Sequence, residues 1–153
     1  RLTRIKVVGT ENLNLIGKIS KNVEKLINKI YIHKLINKNI FHLIDIDDKT
    51  LSKFYQNAYI VTYLSHYEGY GLPIIESLKY GNITIISKNS SMPEVGGIYA
   101  DYIEGNSKEQ LILIFEKYLK NNKLYIDKKF FIKNNFKAST WEIFYNKINK
   151  HLI

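Results

Sequence analysis

The chain of 153 residues contains no cysteine. This absence excludes disulfide bonds, thiolate catalysis and zinc sites built on sulfur ligands, and it fits a reducing compartment. The sequence also has no apolar run near the roughly 20 residues that a helix needs to cross a bilayer. Residues 1–4 lack the apolar stretch of a signal peptide. We therefore expect a cytoplasmic protein, for which contact with the inner face of the cell membrane stays an open alternative.

Arginine is almost absent as well. The net charge of +9 comes nearly entirely from lysine, with Arg1 and Arg4 as the only arginines. The lysines are interleaved with Asn and Ile along the whole chain, without the aromatic-interleaved arginine stripe of a nucleic-acid-binding face. This distribution favours a generally solvated basic surface, so we expect no nucleic-acid partner. A basic nucleic-acid-binding domain is the alternative from another functional class.

The four histidines are spread along the chain without the spacing of a metal site. We therefore expect no bound metal. His66 lies two residues before Glu68 at the end of a predicted strand, where a role as a base or as a ligand contact remains an alternative.

Short runs rich in β-branched residues alternate with longer segments of helical periodicity. The runs at residues 5–8, 40–44, 59–64 and 83–87 are typical of buried strands. Helical patterns cover residues 14–35 and residues 49–57, the latter with Asp47 or Asp48 as the cap. This alternation predicts an α/β, Rossmann-like, doubly wound parallel sheet with helices on both faces. Ligands of such sheets bind at the carboxyl ends of the strands.

Two capping-box patterns predict additional helices near the end of the chain. Ser107 with Gln110 precedes residues 111–119, and Ser139 with Glu142 precedes residues 143–152. The sequence shows no internal repeat and no linker between domains. We therefore expect one domain over residues 1–153 that ends in extra C-terminal helices.

A glycine loop lies between the third predicted strand and a helix. Pro73 suits the first position of a helix and Gly81 suits the position just past its end, which predicts a helix over residues 73–80. The free N–H groups and the positive dipole end of this helix form a site for phosphate oxygens. Gly69 and Gly71 allow a ligand to approach the backbone.

Two carboxylates bracket this anion site, Glu68 before the helix and Glu76 within it. A carboxylate accepts two hydroxyl hydrogen bonds at once, so the vicinal diols of a ribose or a hexose are suitable partners. The implied ligand combines phosphate with sugar. On spacing alone, an alternative stays open in which Glu76 is a solvated helix residue and Glu68 a loop acid stabilised by the helix dipole.

Residues 68–73, Glu-Gly-Tyr-Gly-Leu-Pro, followed by Glu76, resemble the E-G-F-G-L-P-x-x-E signature of glycosyltransferase family four. The resemblance extends over roughly residues 5–150. Further motifs of the family are resembled by residues 51–60 (L-x-x-x-Y-x-x-A-D-V), 81–87 (G-x-P-V-I-x-S) and 90–95 (S-x-x-P-E-V), and residues 139–142 resemble the family's aromatic entry to the last helix. The sequence departs from the family pattern at Asp45, Leu64 and Asn82-Ile83, where the family prefers glycine, proline and a small residue before proline.

The resemblance implies the donor-binding domain of a retaining GT-B glycosyltransferase, with a nucleotide-diphosphate sugar as donor and neither metal nor cofactor. It implies that Glu68 faces the donor hexose and the reaction centre as the catalytic acidic residue, and that Glu76 holds the ribose hydroxyls. The other residues it implies at the donor site are Gly69, Tyr70, Gly71, Leu72, Ile44 near the nucleobase, and more distantly Ser90, Ser91 and Glu94.

The reaction expected from this resemblance is transfer of a hexose to a glycan or lipid-linked acceptor in surface polysaccharide biosynthesis. Residues 1–10 resemble the second strand of the family's donor domain. We therefore expect a fragment that lacks the N-terminal acceptor domain and the first β–α unit, with its basic pair, and that is inactive alone. The alternative within the same fold is a non-catalytic module that binds a nucleotide sugar or has a regulatory role.

Overall fold

The computed structural model describes residues 5–8 by their backbone, and residues 12–17, 28–29, 31–105, 107–138 and 149. The strands are β1 (Ile5–Val8), β2 (Leu13–Ile16), β3 (Ile40–Leu43), β4 (Ile60–Tyr63), β5 (Ile83–Ser87) and β6 (Asp101–Ile103). The helices with defined bounds are α1 (Asp48–Gln56), α2 (Leu72–Lys79), α3 (Met92–Gly96), α4 (Lys108–Lys120) and α5 (Asn122–Asn135).

The strands form one sheet in the order β3-β2-β1-β4-β5-β6. β2 pairs parallel with β3, β4 with β5, and β5 with β6. Every residue of β4 and β5 is buried, which requires cover on both faces of the sheet. The α/β, Rossmann-like fold class is confirmed, and the four strands predicted from the sequence all exist within one residue of their predicted bounds.

β1 departs from the predicted parallel arrangement, because it runs antiparallel to both β2 and β4. Only the four residues 9–12 separate β1 from β2. A parallel connection needs a crossover of about a dozen residues or more. A link of this length therefore allows only antiparallel pairing. The other strands therefore all point one way, and their carboxyl ends lie at a common edge of the sheet.

The helix predicted over residues 14–35 is wrong at its start, because residues 14–16 belong to β2. This strand pairs with β1 on one side and with β3 on the other, from Leu13 opposite Ile40 to Ile16 opposite Leu43. A short apolar run does not distinguish strand from helix by its periodicity alone, and tertiary pairing decided here. Residues 18–27 and 30 of the prediction lie outside the described residues.

The predicted N-terminal caps of α1 and α4 are confirmed. Asp47 caps α1 by accepting the amide hydrogen of Thr50 at 2.6 Å. Ser107 caps α4 by accepting the amide hydrogen of Gln110 at 3.2 Å. The side chain of Gln110 accepts instead from the backbone amide of Glu104, so only half of the predicted capping box forms. The capping box and helix predicted over residues 139–152 lie outside the described residues, apart from residue 149.

The core lies around β4 and β5 and is completed by α2, α4 and α5. Tyr59 stacks on Tyr125 with ring centroids 4.2 Å apart, and its hydroxyl donates to the carbonyl of Tyr118. These contacts fix the C-terminal helices to the sheet. The largest fully buried side chains are Tyr55, Ile60, Ile74, Leu78, Ile83, Ile85, Ile86, Met92, Ile103, Tyr118 and Ile132.

A substitution at Gly96, at the end of α3, tests this packing. A Cβ atom at this position would lie 2.6 Å from Ile86 Cδ1 and 2.8 Å from Ala100 Cβ. We expect Gly96→Ala to lower the free energy of unfolding by about 1–3 kcal/mol, the usual cost of overpacking. The control is Gly69→Ala, where a Cβ meets no atom within 4 Å. Urea denaturation of the two variants measures the difference, and equal midpoints would contradict the packing described.

Candidate functional site

The carboxyl edge of the sheet collects the loops that carry the predicted site residues. Residues 44–47 follow β3, residues 64–71 follow β4 and residues 88–91 follow β5. The chain order of the strands changes direction between β1 and β4, and ligands of doubly wound sheets bind outside the strand ends at such a point. The loop after β4 therefore stands at the position where a ligand is expected.

The glycine loop and the start of α2 expose a row of backbone donors. Gly71 has left-handed φ and ψ angles of 76° and 45°, and no side chain caps the helix. Among the described residues, no group accepts a hydrogen bond from the amides of residues 69–72. Consecutive amide donors at the positive end of a helix dipole form a binding site for an anion.

Glu68 is held at both its side chain and its backbone. The hydroxyl of Tyr63 donates to Glu68 Oε1 at 2.5 Å. The hydroxyls of Ser90 and Ser91 donate to the Glu68 carbonyl at 2.8 and 2.9 Å. The two serines thus fasten the loop after β5 to the loop after β4.

Glu76 lies on α2, one turn after Leu72, and is half-buried. Its Oε2 accepts a hydrogen bond from the hydroxyl of Tyr55 at 3.1 Å. Burial raises the pKa of Tyr55 far above its usual range, and the nearby Glu76 charge adds to this rise. The phenol therefore stays protonated and keeps donating to the carboxylate.

The outer residues of the predicted site take separate places. Ile44 is exposed directly after β3, three strand positions from β4, which corresponds to about 14 Å across the sheet. Asp45 has a φ angle of 53°, the left-handed conformation for which the family pattern uses glycine and which aspartate tolerates better than most residues. Glu94 is exposed on the first turn of α3. Tyr70 is also exposed, beside the glycines.

The described histidines have structural contacts or lie at the surface. Gly17 O lies 2.9 Å from Nε2 of His42, and the hydroxyl of Tyr31 lies 2.7 Å from its Nδ1. Since a carbonyl only accepts, Nε2 carries the hydrogen. His66 is exposed on the loop after β4 and has contacts of its own. The described part of the chain contains no group of three or more His, Cys, Asp or Glu side chains placed to hold a metal ion.

Sequence reasoning missed Tyr55 and Tyr63 as parts of the site. Tyr55 stands at the tyrosine of the L-x-x-x-Y-x-x-A-D-V motif, which marked it as a member of the pattern. No local spacing showed that its hydroxyl reaches a residue 21 positions later in the chain. Tyr63 had no signal beyond its place in a buried strand.

Comparison with known proteins identifies relatives over most of the chain. The profile of a family described as glycosyl transferases group 1 matches residues 4–137. Three Escherichia coli proteins, each named serotype-specific mannosyltransferase WbdA, also match. The first is 31% identical over 108 residues, which cover 71% of this chain and 13% of that protein. The chain thus spans about an eighth of the length of these relatives.

Solved structures share the fold. The C-terminal domain of LpcC, a glycosyl transferase group 1 family protein from Francisella tularensis, superposes with a TM-score of 0.66 and 23% identity, covering 79% of this chain and 65% of that one. HepE from Anabaena, solved in complex with UDP, superposes with a TM-score of 0.61 and 16% identity, covering 81% of this chain and 36% of that one.

The two serine contacts to Glu68 give a prediction about the loop. We expect the double variant Ser90→Ala/Ser91→Ala to lower the free energy of unfolding by about 1–2 kcal/mol, because two hydrogen bonds to one carbonyl are lost. Amide hydrogen exchange in residues 65–72 should become faster. Ser65→Ala is the control, since the Ser65 hydroxyl makes an exposed hydrogen bond within the same loop, to Tyr67 O. Equal exchange in the two proteins would show that the serines do not fasten this loop.

Proposed function

The chain belongs to the glycosyl transferases group 1 family, and we propose that it is the donor-binding domain of a retaining hexosyltransferase. The family resemblance read from the sequence is confirmed. The proposed reaction transfers a hexose from a nucleotide-diphosphate sugar to a glycan or lipid-linked acceptor in surface polysaccharide biosynthesis. Mannose is the first hexose to test, because the WbdA relatives are named mannosyltransferases.

One observation carries this proposal: backbone donors that have no partner among the described residues lie next to two oriented carboxylates. The backbone amides of residues 69–72 are suited to donate hydrogen bonds to the oxygens of a diphosphate. Glu68 and Glu76 each use one carboxylate oxygen for a tyrosine and keep acceptor capacity for hydroxyl groups. A ligand that joins a diphosphate to two sugars, a ribose and a hexose, satisfies both sets of groups.

The proposed mechanism relies on orientation and electrostatics. The positive end of α2 and the loop amides stabilise the charge that develops on the departing diphosphate. Glu76 holds the ribose diol, and Glu68 lies beside the hexose at the reaction centre. The acceptor attacks the face from which the diphosphate leaves, so the anomeric configuration is retained and the protein mainly aligns the reacting groups.

We also propose a cytoplasmic location, in line with a chain that has no cysteine. Within the described residues, no helix combines the length and the apolar character required to span a bilayer.

The two acids have separable roles, which single substitutions test in the full-length gene product. We expect Glu76→Ala to weaken binding of the nucleotide-sugar donor by roughly 1.5–3 kcal/mol, the range for hydrogen bonds to a charged group. We expect Glu68→Gln to lower kcat far more than donor affinity, since it acts mainly in the transition state.

Calorimetry with UDP-, GDP- and ADP-sugars identifies the donor and measures its affinity, and steady-state kinetics measures kcat. Glu116→Gln is the control, because this exposed residue pairs with Lys120 on α4, away from the carboxyl edge. Unchanged donor affinity in Glu76→Ala would remove that residue from the donor site. Equal losses of affinity and kcat in Glu68→Gln would contradict its assignment to the reaction centre.

Metal independence is a further expected outcome. The loop amides and the helix end provide positive potential for the diphosphate, and Asp47 in the acidic segment after β3 is engaged as the cap of α1. We therefore expect transferase activity to be unchanged when a chelator removes divalent ions. A strict requirement for manganese would contradict this use of the backbone site.

A further inference from the structure

We propose that Tyr55 and Tyr63 are positioning residues, each of which holds one of the two site carboxylates through a phenol hydrogen bond made from the core. The inference rests on the proposed function, because the proposed function assigns Glu76 to the donor and Glu68 to the reaction centre. It adds a layer of buried residues below the donor site that sets the orientation of both acids before the donor binds.

Several contacts fix the position of Tyr55 near the end of α1. Its side chain is 1% exposed and stacks on Tyr80, with ring centroids 5.7 Å apart and an interplanar angle of 13°. Its backbone carbonyl accepts a hydrogen bond from Asn82 Nδ2 at 2.8 Å. The phenol therefore reaches Glu76 from a ring that has little freedom to move.

The residues that hold Tyr55 also hold the helix that carries Glu76. The backbone amide of Asn82 donates to the Ser77 carbonyl at 3.2 Å, and Thr84 Oγ1 donates to the backbone carbonyl of Asn82 at 3.1 Å. Ser77 Oγ lies 2.7 Å from Thr84 Oγ1 and, since the Thr84 hydrogen is already used, is the donor of that bond. Ser77 is the neighbour of Glu76, so Tyr55 and Glu76 are tied to one buried network.

This network explains why an asparagine occupies position 82. The family pattern has a small residue at this position, whereas this chain has a fully buried asparagine. Its side-chain amide donates to the Tyr55 carbonyl near the end of α1, and its backbone amide donates to the Ser77 carbonyl near the end of α2, so this residue links the two helices that carry Tyr55 and Glu76.

Tyr63 holds Glu68 in a corresponding way. It ends β4, is 3% exposed and donates to Glu68 Oε1. Each of the two buried tyrosines thus binds a different acid of the candidate site.

A phenol bond of this kind preorganises a carboxylate. A free glutamate side chain loses rotamer freedom when a ligand orders it, and that loss weakens binding. The phenol occupies one oxygen and leaves the other oxygen available to donor hydroxyls. Removing the phenol hydroxyl while keeping the ring should therefore affect the substrate through the acid and leave the fold nearly intact.

The two tyrosines should differ in the kinetic constant that they control. Glu76 contacts the ribose equally in the ground state and the transition state, so loss of the phenol that orients Glu76 raises the KM for the donor. Glu68 acts at the reaction centre, so loss of the phenol that orients Glu68 lowers kcat. In the full-length gene product we expect Tyr55→Phe to raise donor KM about tenfold and Tyr63→Phe to lower kcat about tenfold, with the other constant nearly unchanged in each; a tenfold change is 1.4 kcal/mol.

Tyr118→Phe is the matched control. Tyr118 is 1% exposed, and its hydroxyl donates to Asp101 Oδ2 at 2.7 Å. Asp101 lies on β6, two strand positions from β4, and is paired with Ile85 in the middle of β5, so this phenol–carboxylate pair involves neither of the two site carboxylates. Tyr118→Phe removes the same type of bond, and we expect it to change stability without changing either kinetic constant.

A second measurement separates positioning from a general structural effect. In a Glu76→Ala background, Tyr55→Phe should raise donor KM no further, because Tyr55 acts through Glu76. Additive effects in this double variant, or equal kinetic losses in Tyr118→Phe, would overturn the inference. Unaltered constants in Tyr55→Phe and Tyr63→Phe would also overturn it.

Calorimetric titration of the wild-type protein with the donor distinguishes this failure from failure of the proposed function. If the wild type binds no nucleotide sugar, the proposed function fails and the inference fails with it. If the wild type binds its donor and the tyrosine variants behave like the wild type, the inference alone is wrong.

Discussion

The parallel pairing of β4 with β5 is the constraint on which the site depends. All residues of both strands are buried, so neither strand can shift without moving the core on both faces of the sheet. β4 ends at the loop that carries Glu68, and β5 ends at the loop that carries Ser90 and Ser91. The register between the strands places the two serine hydroxyls on the Glu68 carbonyl. The glycine loop above them is thus shaped by the core below.

Two polar residues of the apolar core beside these strands are hydrogen-bonded to each other. Thr84 lies in β5, and Ser77 lies in the helix packed against it; both are fully buried. Buried hydroxyl and amide groups are costly unless they are hydrogen-bonded, and these two side chains bond to each other. The network they form with Asn82 ends at the carboxylate of Glu76, so the polar groups connect the core to the site.

Much of the fold could be predicted from local patterns. The strands β4 and β5 are short apolar runs with clear breakers, and α1 and α4 have capping residues that act within three positions in sequence. β2 could not be predicted, because Leu13–Ile16 fits a helix as well as a strand when its neighbours are unknown. Its identity comes from β1 and β3, which supply hydrogen-bond partners on both of its sides.

The sequence by itself determined the groups of the candidate site: a glycine loop before a helix, with Glu68 and Glu76 at a spacing that resembles a family signature. These groups lie within nine consecutive residues, where chain geometry alone keeps them together. Only the tertiary structure decided what holds them. Tyr55 reaches Glu76 across 21 positions, and Ser91 reaches Glu68 across 23, through contacts that exist only once α1, α2 and the loops after β4 and β5 are packed on one sheet. Side-chain hydrogen bonds over such separations depend on strand order and register, which no local pattern encodes.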